Sequence, residues 1–315
     1  MSSQYHAPVL PEESVAHLLK NESGIYVDCT LGGGGHTERF LDALGTSGRV
    51  IGIDADADAI AYATERLKRF DNFDARQVFY DQLDVVLYEL MQIPVDGVFF
   101  DLGISSYQID EASRGFTFRV DGPLDMRFDQ RQRLTAEDIL NDYSQDELAR
   151  IIRSYGEERH WRAIARDIVA VRQVEAFTRS SQLVDVVRRI TGERFLNKSL
   201  ARVFQALRIE VNRELERLEK ALQQAFDSLK QDGRLVVISY HSLEDRIVKR
   251  FLQEKQRDCI CPQEFPVCRC DKEKEVKILE RGVVASEAEV AENPRSRSAR
   301  MRVAKKLTAY KELDY

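Results

Sequence analysis

Apolar and polar positions change their period along this chain, and the changes mark out its elements. Short apolar runs at 25–30, 49–54, 75–79 and 95–101 alternate with stretches of helical spacing such as Ala57 to Phe70, where Ile60, Ala63 and Leu67 recur on one face. That alternation predicts an α/β fold with parallel strands and helices packed across them. Beyond Asp101 the pattern is helical or irregular for roughly a hundred residues, until Gly233-Arg234-Leu235-Val236-Val237-Ile238-Ser239 reads as a fifth strand. The stretch between is read as a helical insertion. Its return arm carries Leu215, Leu218, Leu222, Phe226 and Leu229 on one face of a long helix, with Asp232-Gly233 expected to stop it and the sheet expected to receive it. Leu243 to Phe251 again has helical spacing, and Lys277-Ile278-Leu279 with Met301-Arg302-Val303-Ala304 are expected to close the sheet as an antiparallel edge. No internal repeat stands out.

With 315 residues, 43% of them hydrophobic, the chain exceeds one average domain and can bury a sizeable core. Apolar runs such as Val95 to Phe100 are far too short to span a bilayer, and Ser2-Ser3-Gln4 lacks the apolar core of a signal peptide. No membrane partner and a cytoplasmic location are therefore expected. The formal net charge of -6 argues against a polyanionic partner, yet the charge is uneven. Residues 150–220 hold 16 Lys+Arg against 10 Asp+Glu, and Arg295, Arg297, Arg300, Arg302, Lys305 and Lys306 form a second basic run. Two such surfaces could grip a phosphate backbone; ordinary solvated faces explain them equally well.

Candidate chemistry begins where the first strand ends. Ile25-Tyr26-Val27-Asp28-Cys29-Thr30-Leu31 delivers an acid and then Gly32, Gly33, Gly34 and Gly35, directly ahead of a helical stretch beginning near His36. Glycines let backbone N–H groups approach a ligand closely and permit positive φ, while a helix start leaves unsatisfied donors on the same side. The second strand ends on Asp54, 19 residues beyond Gly35, where a ribose-gripping carboxylate belongs. A dinucleotide site would need a third glycine where Thr37 stands, and no G-x-x-x-x-G-K-[ST] run occurs, so phosphate-bearing nucleotides fit poorly. An adenosine ligand without phosphates fits better. S-adenosylmethionine is one, with its ribose on Asp54 and its cationic methionine end among carboxylates such as Asp28 and Asp101. The competing reading is a purely structural glycine turn.

Asp28, Asp54 and Asp101 each end a predicted strand, and ligands of open α/β sheets bind beyond those ends, so the three are expected to share one crevice. Any one of them could instead cap the helix that follows. Asp101 opens the run Asp101-Leu102-Gly103-Ile104-Ser105-Ser106-Tyr107-Gln108. This run joins His6-Ala7-Pro8-Val9-Leu10, the glycine segment through His36, Arg114-Gly115-Phe116, Asp121-Gly122-Pro123-Leu124-Asp125-Met126-Arg127 and Tyr155-Gly156-Glu157-Glu158-Arg159. Ser239-Tyr240-His241-Ser242-Leu243-Glu244-Asp245-Arg246 and Glu292-Asn293-Pro294-Arg295-Ser296-Arg297 complete the set. On these segments the chain resembles, nearly from end to end, the bacterial small-subunit ribosomal RNA cytosine-N4 methyltransferases, the methyltransferase H family.

The resemblance implies a Rossmann-like class I S-adenosylmethionine-dependent methyltransferase domain over residues 1–108 and 218–315, with a helical substrate-recognition insertion over 109–217. It implies methyl transfer to the exocyclic N4 amine of one cytidine in the decoding centre of 16S rRNA, with the small ribosomal subunit as partner and a homodimer left open. Carried residue by residue, the cofactor contacts fall on Gly34, Gly35, His36, Asp54, Tyr80, Asp101 and Gln108. Phe79 is the neighbouring alternative to Tyr80 beside the adenine, and His36 could simply pack at a helix start. The catalytic candidates are Asp101 and Ser105. Neither a catalytic metal nor a covalent nucleophile is expected, because a sulfonium already activates its methyl group. The cytosine amine is a poor nucleophile, and Asp101 with the Leu102 carbonyl are candidates to hold its N–H bonds. Phe116, Phe118 or Tyr107 could stack on the extruded base, with core packing the alternative.

Two other functions stay open. A DNA amino-methyltransferase would normally carry an Asn/Asp/Ser-Pro-Pro-aromatic loop, and Asp101-Leu102-Gly103-Ile104 has neither proline. A non-catalytic RNA-binding ribosome assembly factor on an old cofactor fold is the other; the intact acids and glycines speak against it. Of five cysteines, Cys29 in the first strand is read as a small buried hydrophobe. Cys259, Cys261, Cys268 and Cys270 form two C-x-C pairs separated by six residues. Four thiolates could hold a structural zinc, but the C-x-C bite is tighter than the usual C-x-x-C, and an unmetallated excursion is the alternative.

Overall fold

Hydrogen-bond register converts the predicted strands into one sheet. The computed structural model describes residues 8–262 and 267–311, which form two compact units. The first comprises the described residues of His6–Gly103 and Leu215–Tyr315. Its strands β1 (Ile25–Asp28), β2 (Arg49–Asp54), β3 (Phe73–Gln77) and β4 (Val95–Asp101) pair in parallel in the order β3-β2-β1-β4. Helices α1 (Pro11–Leu18), α2 (Gly35–Leu44), α3 (Ala57–Leu67) and α4 (Leu83–Glu89) precede or connect them. Strand alternation sends side chains into two apolar layers. Val27, Ile51, Val98 and Phe100 meet Leu83 and Leu87 of α4, whereas Tyr26, Val50 and Phe99 meet Leu18, Phe40, Leu41 and Leu67 on the other face. Burial on both faces is why β4 reads as a continuous apolar run.

The second unit, Ile104–Glu214, is helical. It holds α5 (Ser106–Asp110), α6 (Ala136–Asp142), α7 (Gln145–Ser154), α8 (Trp161–Arg172), α9 (Ser180–Thr191) and α10 (Leu196–Asn212). Thr135 with Asp138 and Ser144 with Glu147 make capping boxes that start α6 and α7. Ile151, Ile164, Leu183, Val203 and Leu207 share its own apolar core.

The chain then adds α11 (Glu214–Ser228), β5 (Leu229–Ser239), α12 (Ser242–Gln256), β6 (Val276–Val283), α13 (Glu287–Glu292) and β7 (Arg300–Lys306). β5 extends the parallel sheet beside β4, and β7 and β6 close it antiparallel, giving β3-β2-β1-β4-β5-β7-β6. Leu218, Leu222 and Phe226 of α11 pack into the sheet's apolar layer, as their spacing predicts. The expected stop at Asp232-Gly233 is corrected: α11 ends at Ser228 and β5 begins at Leu229. The buried Lys306 ammonium donates to the carbonyls of Phe226 (2.8 Å), Asp227 (3.3 Å) and Leu229 (2.8 Å), ending the helix four residues early. Two smaller shifts have local causes. α3 ends at Leu67 because Phe70 N turns back to the Leu67 carbonyl, and β3 starts at Phe73 because Val50 pairs there. No helix among the described residues is long and apolar enough to cross a membrane.

Candidate active site

β2, β1, β4 and β5 are successive neighbours, so the residues that follow their carboxyl ends are brought together. Asp28 is the exception to the expected crevice of three acids. It is 1% exposed. Its Oδ2 accepts from the Thr37 hydroxyl (2.7 Å) and its Oδ1 from Thr30 N (3.1 Å). Burial raises its pKa, with the Thr37 bond opposing. Asp28 therefore fastens the glycine loop to α2.

Asp54 Oδ2 accepts from Gly32 N (2.8 Å) and Oδ1 from Asp56 N (2.9 Å). Burial pushes its pKa up to about 6 against the pull of these two N–H groups. Each carboxylate oxygen can accept twice, so acceptor capacity remains for hydroxyl donors. Gly32 (φ 50) and Gly34 (φ 75) occupy the left-handed region that the four-glycine run makes accessible. A Cβ on Gly34 would also lie 3.1 Å from Leu67 Cδ1 and 3.3 Å from Ala63 Cβ, so this glycine lets α2 start against α3. A Cβ on Gly32 would meet nothing nearer than 3.8 Å, which leaves space beside the loop. Arg66 pins the loop from behind, donating to the Gly33 carbonyl (3.0 Å) and to Glu38 (2.6 Å).

Asp101 is the most heavily held group. Its N–H donates to Thr30 Oγ1 (2.6 Å), its Oδ1 accepts from the Tyr240 hydroxyl (2.7 Å), and its Oδ2 lies 3.4 Å from His36 Nε2. Burial first, and the Asp101 charge second, hold the Tyr240 pKa well above the usual phenol range, so Tyr240 remains a donor. His36 is 6% exposed and packs its ring 4.6 Å from that of Phe99. Neither of its nitrogens makes a hydrogen bond among the described residues. The His36 side chain thus packs, as one reading expects, and also faces Asp101. Tyr240 was missed as a site residue by sequence reasoning. The available signal was its place directly after the fifth strand, the same rule that singled out the three acids.

Tyr80 packs edge-on against Phe100 at 6.0 Å, while Phe79 carries the Arg217 guanidinium 3.7 Å above its ring. In the helical unit, Ser105 Oγ accepts from Gln108 N (3.2 Å) and Ser105 N donates to Gln108 Oε1 (3.0 Å), a capping box that starts α5. Phe116 is a core residue there and stacks on Phe128 at 5.5 Å, and the partly buried Phe118 meets Phe204 edge-on at 5.3 Å. Core packing is the alternative expected for both beside a role as base platforms. His6 and Ala7 of the first quoted segment, and the Ser106 side chain, lie outside the described residues.

The structure pairs part of the two basic runs and buries two residues of the second. Within the helical unit Arg150 pairs with Glu210 (3.1 Å), Arg179 with Asp121 (2.7 Å) and Arg189 with Asp167 (2.8 Å). In the tail, Arg302 is buried in a two-pronged pair with Asp245 (2.7 and 3.0 Å) and Lys306 is buried against carbonyls. Arg297 and Arg300 stay exposed.

Comparison with known proteins places this geometry. The model of the MraW methylase family matches residues 3–307. Curated relatives named Ribosomal RNA small subunit methyltransferase H include that of Clostridium botulinum (strain Kyoto / Type A2), 45% identical over 305 residues, which span 96% of this chain and 99% of the relative. That of Caldicellulosiruptor saccharolyticus is 44% identical over 304 residues (96% and 99%), and that of Lachnospira eligens 46% over 307 residues (95% and 96%). A solved rRNA methylase from Streptococcus thermophilus covers 95% of this chain and 94% of its own at 12% identity and a TM-score of 0.43, a likeness too distant to bear on the site. Matched over nearly its whole length by the family model and by relatives of such identity, the chain belongs to the MraW methylase family.

Proposed function

We propose that this methylase transfers a methyl group from S-adenosylmethionine to the exocyclic N4 amine of a cytidine in the decoding centre of 16S rRNA, with the small ribosomal subunit as its partner. The observation that carries the reading is Asp101, held by Tyr240 and facing His36 beside a glycine loop hooked to Asp54. The name shared by the relatives supports the RNA substrate.

The donor set fits the cofactor. Asp54 keeps acceptor capacity for ribose hydroxyls, no side chain crowds Gly32, and Asp101 supplies negative charge for a cationic ligand. When bound, S-adenosylmethionine supplies a methyl group already activated by its sulfonium. The chain's residues bind and orient. Gly34, Gly35 and His36 would bring backbone close to the ligand, Asp54 would hold the ribose hydroxyls, and Tyr80 would pack beside the adenine. Asp101 Oδ1 is engaged by Tyr240, so Oδ2 accepts an N–H of the amine and takes the proton released as the nitrogen gains its methyl group. The base must leave its stack to reach Asp101, which costs least for an unpaired cytidine. Gln108 remains assigned on the resemblance alone, and Ser105 as a polar contact read from the sequence.

Incubation with labelled S-adenosylmethionine and small subunits lacking the modification tests this. Digestion to nucleosides should place the label in N4-methylcytidine, and Asp101→Ala should abolish transfer while circular dichroism stays native. Label on DNA would favour a DNA amino-methyltransferase, no label on either would favour an assembly factor, and turnover retained by Asp101→Ala would remove Asp101 from the chemistry.

A further inference from the structure

The connection between α12 and β6 holds the four cysteines that the transfer reaction does not use. It is pinched at its base, where Glu275 N donates to the Lys255 carbonyl (2.9 Å). Beyond that neck no described residue between Gln256 and Val276 enters any apolar cluster, and Ile260 and Val267 are 64% and 69% exposed. A chain excursion without a core needs another source of order.

The four Sγ atoms all lie within 4.8 Å of one another. Cys268 Sγ is 3.5 Å from both Cys259 Sγ and Cys270 Sγ, and Cys259 and Cys270 are 3.8 Å apart. Four thiolates at a zinc–sulfur distance of about 2.3 Å in a tetrahedron have sulfurs about 3.8 Å apart. The observed cluster has that size. Backbone donors also converge on it. Ile260 N donates to Cys270 Sγ (3.4 Å), Cys261 N to Cys259 Sγ (3.4 Å) and Arg269 N to Cys261 Sγ (3.3 Å). Such outer bonds orient metal-bound thiolates and offset their charge. Four sulfurs in mutual contact gain little as thiols, whereas a soft divalent ion binds them all. The short C-x-C bite, which weakens the case for a metal in sequence alone, is accommodated because each pair contributes two corners of one cluster.

We propose that Cys259, Cys261, Cys268 and Cys270 form a tetrathiolate zinc site that orders the α12–β6 excursion. The site is independent of the methyl-transfer reading. Full-length protein purified under reducing conditions, exposed to zinc and freed of excess, should retain one zinc per chain by elemental mass spectrometry. Cys268→Ser combined with Cys270→Ser should lose at least nine-tenths of it. Cobalt substitution of the unmutated protein should give an intense thiolate-to-metal charge-transfer band, a readout that does not depend on how the variant folds. Absence of bound zinc in protein with four reduced thiols, equal zinc in the double variant, or cobalt without the charge-transfer band would each overturn the proposal.

Discussion

Replacing Tyr240 with Phe removes one oxygen atom and with it the 2.7 Å hydrogen bond to Asp101 Oδ1. The ring should stay in place, since it already lies 3.4 Å from where a Cβ on Gly103 would be and needs no hydroxyl to pack there. A hydrogen bond to a charged acceptor contributes about 1.5–3 kcal/mol. The Asp101 side chain is 23% exposed, so water partly replaces the lost donor and the lower end applies, about 1.5–2 kcal/mol. At about 1.4 kcal/mol per factor of ten, the expected loss is about 10–30-fold in rate. If Tyr240 acts by orienting Asp101, the loss falls on kcat and leaves the KM for S-adenosylmethionine nearly unchanged. Single-turnover methyl transfer to small subunits, with cofactor and subunit both saturating, measures it. A Tyr240→Phe enzyme within twofold of the unmutated rate would refute the coupling.

Two further predictions follow from the glycine loop and its acid. Gly34→Ala puts a side chain at φ 75 and 3.1 Å from Leu67, so a loss of at least about 1–2 kcal/mol is expected from the left-handed backbone alone. Gly32→Ala, at φ 50, bears the same backbone cost but meets nothing nearer than 3.8 Å, so it should lose less. Equal urea midpoints for these two variants would contradict the packing role of Gly34. Ribose hydroxyls need an ionised Asp54, whose pKa is raised to about 6, so cofactor affinity should fall below that pH, approaching tenfold per pH unit. The same raised pKa means the folded state binds the proton more tightly, so the Asp54 contribution to stability is full below the ordinary carboxylate range and is lost as the pH rises toward 6. Calorimetric titrations and ligand-free melts of Asp54→Asn should lose both dependences; if they persist, another group titrates.

The chain's own pattern determined the alternation of strands and helices, the glycine turn and the strand-ending acids. The reason is local: a strand buried on both faces must be continuously apolar, as Val98-Phe99-Phe100 is, and left-handed backbone beside a helix start calls for glycine. Tertiary structure alone decided which acid does what. Asp28 and Asp101 both end strands in the sequence, yet Thr37 takes up one while Tyr240, 139 residues away, fixes the other. Lys306 closes α11 across 80 residues, and four sulfurs from two short C-x-C pairs meet in one cluster. None of these is a periodicity. The Tyr240 and Lys306 contacts depend on distant segments meeting at one register, where a polar group withdrawn from water must find a partner or cost the fold free energy, and only the folded chain settles which partner that is.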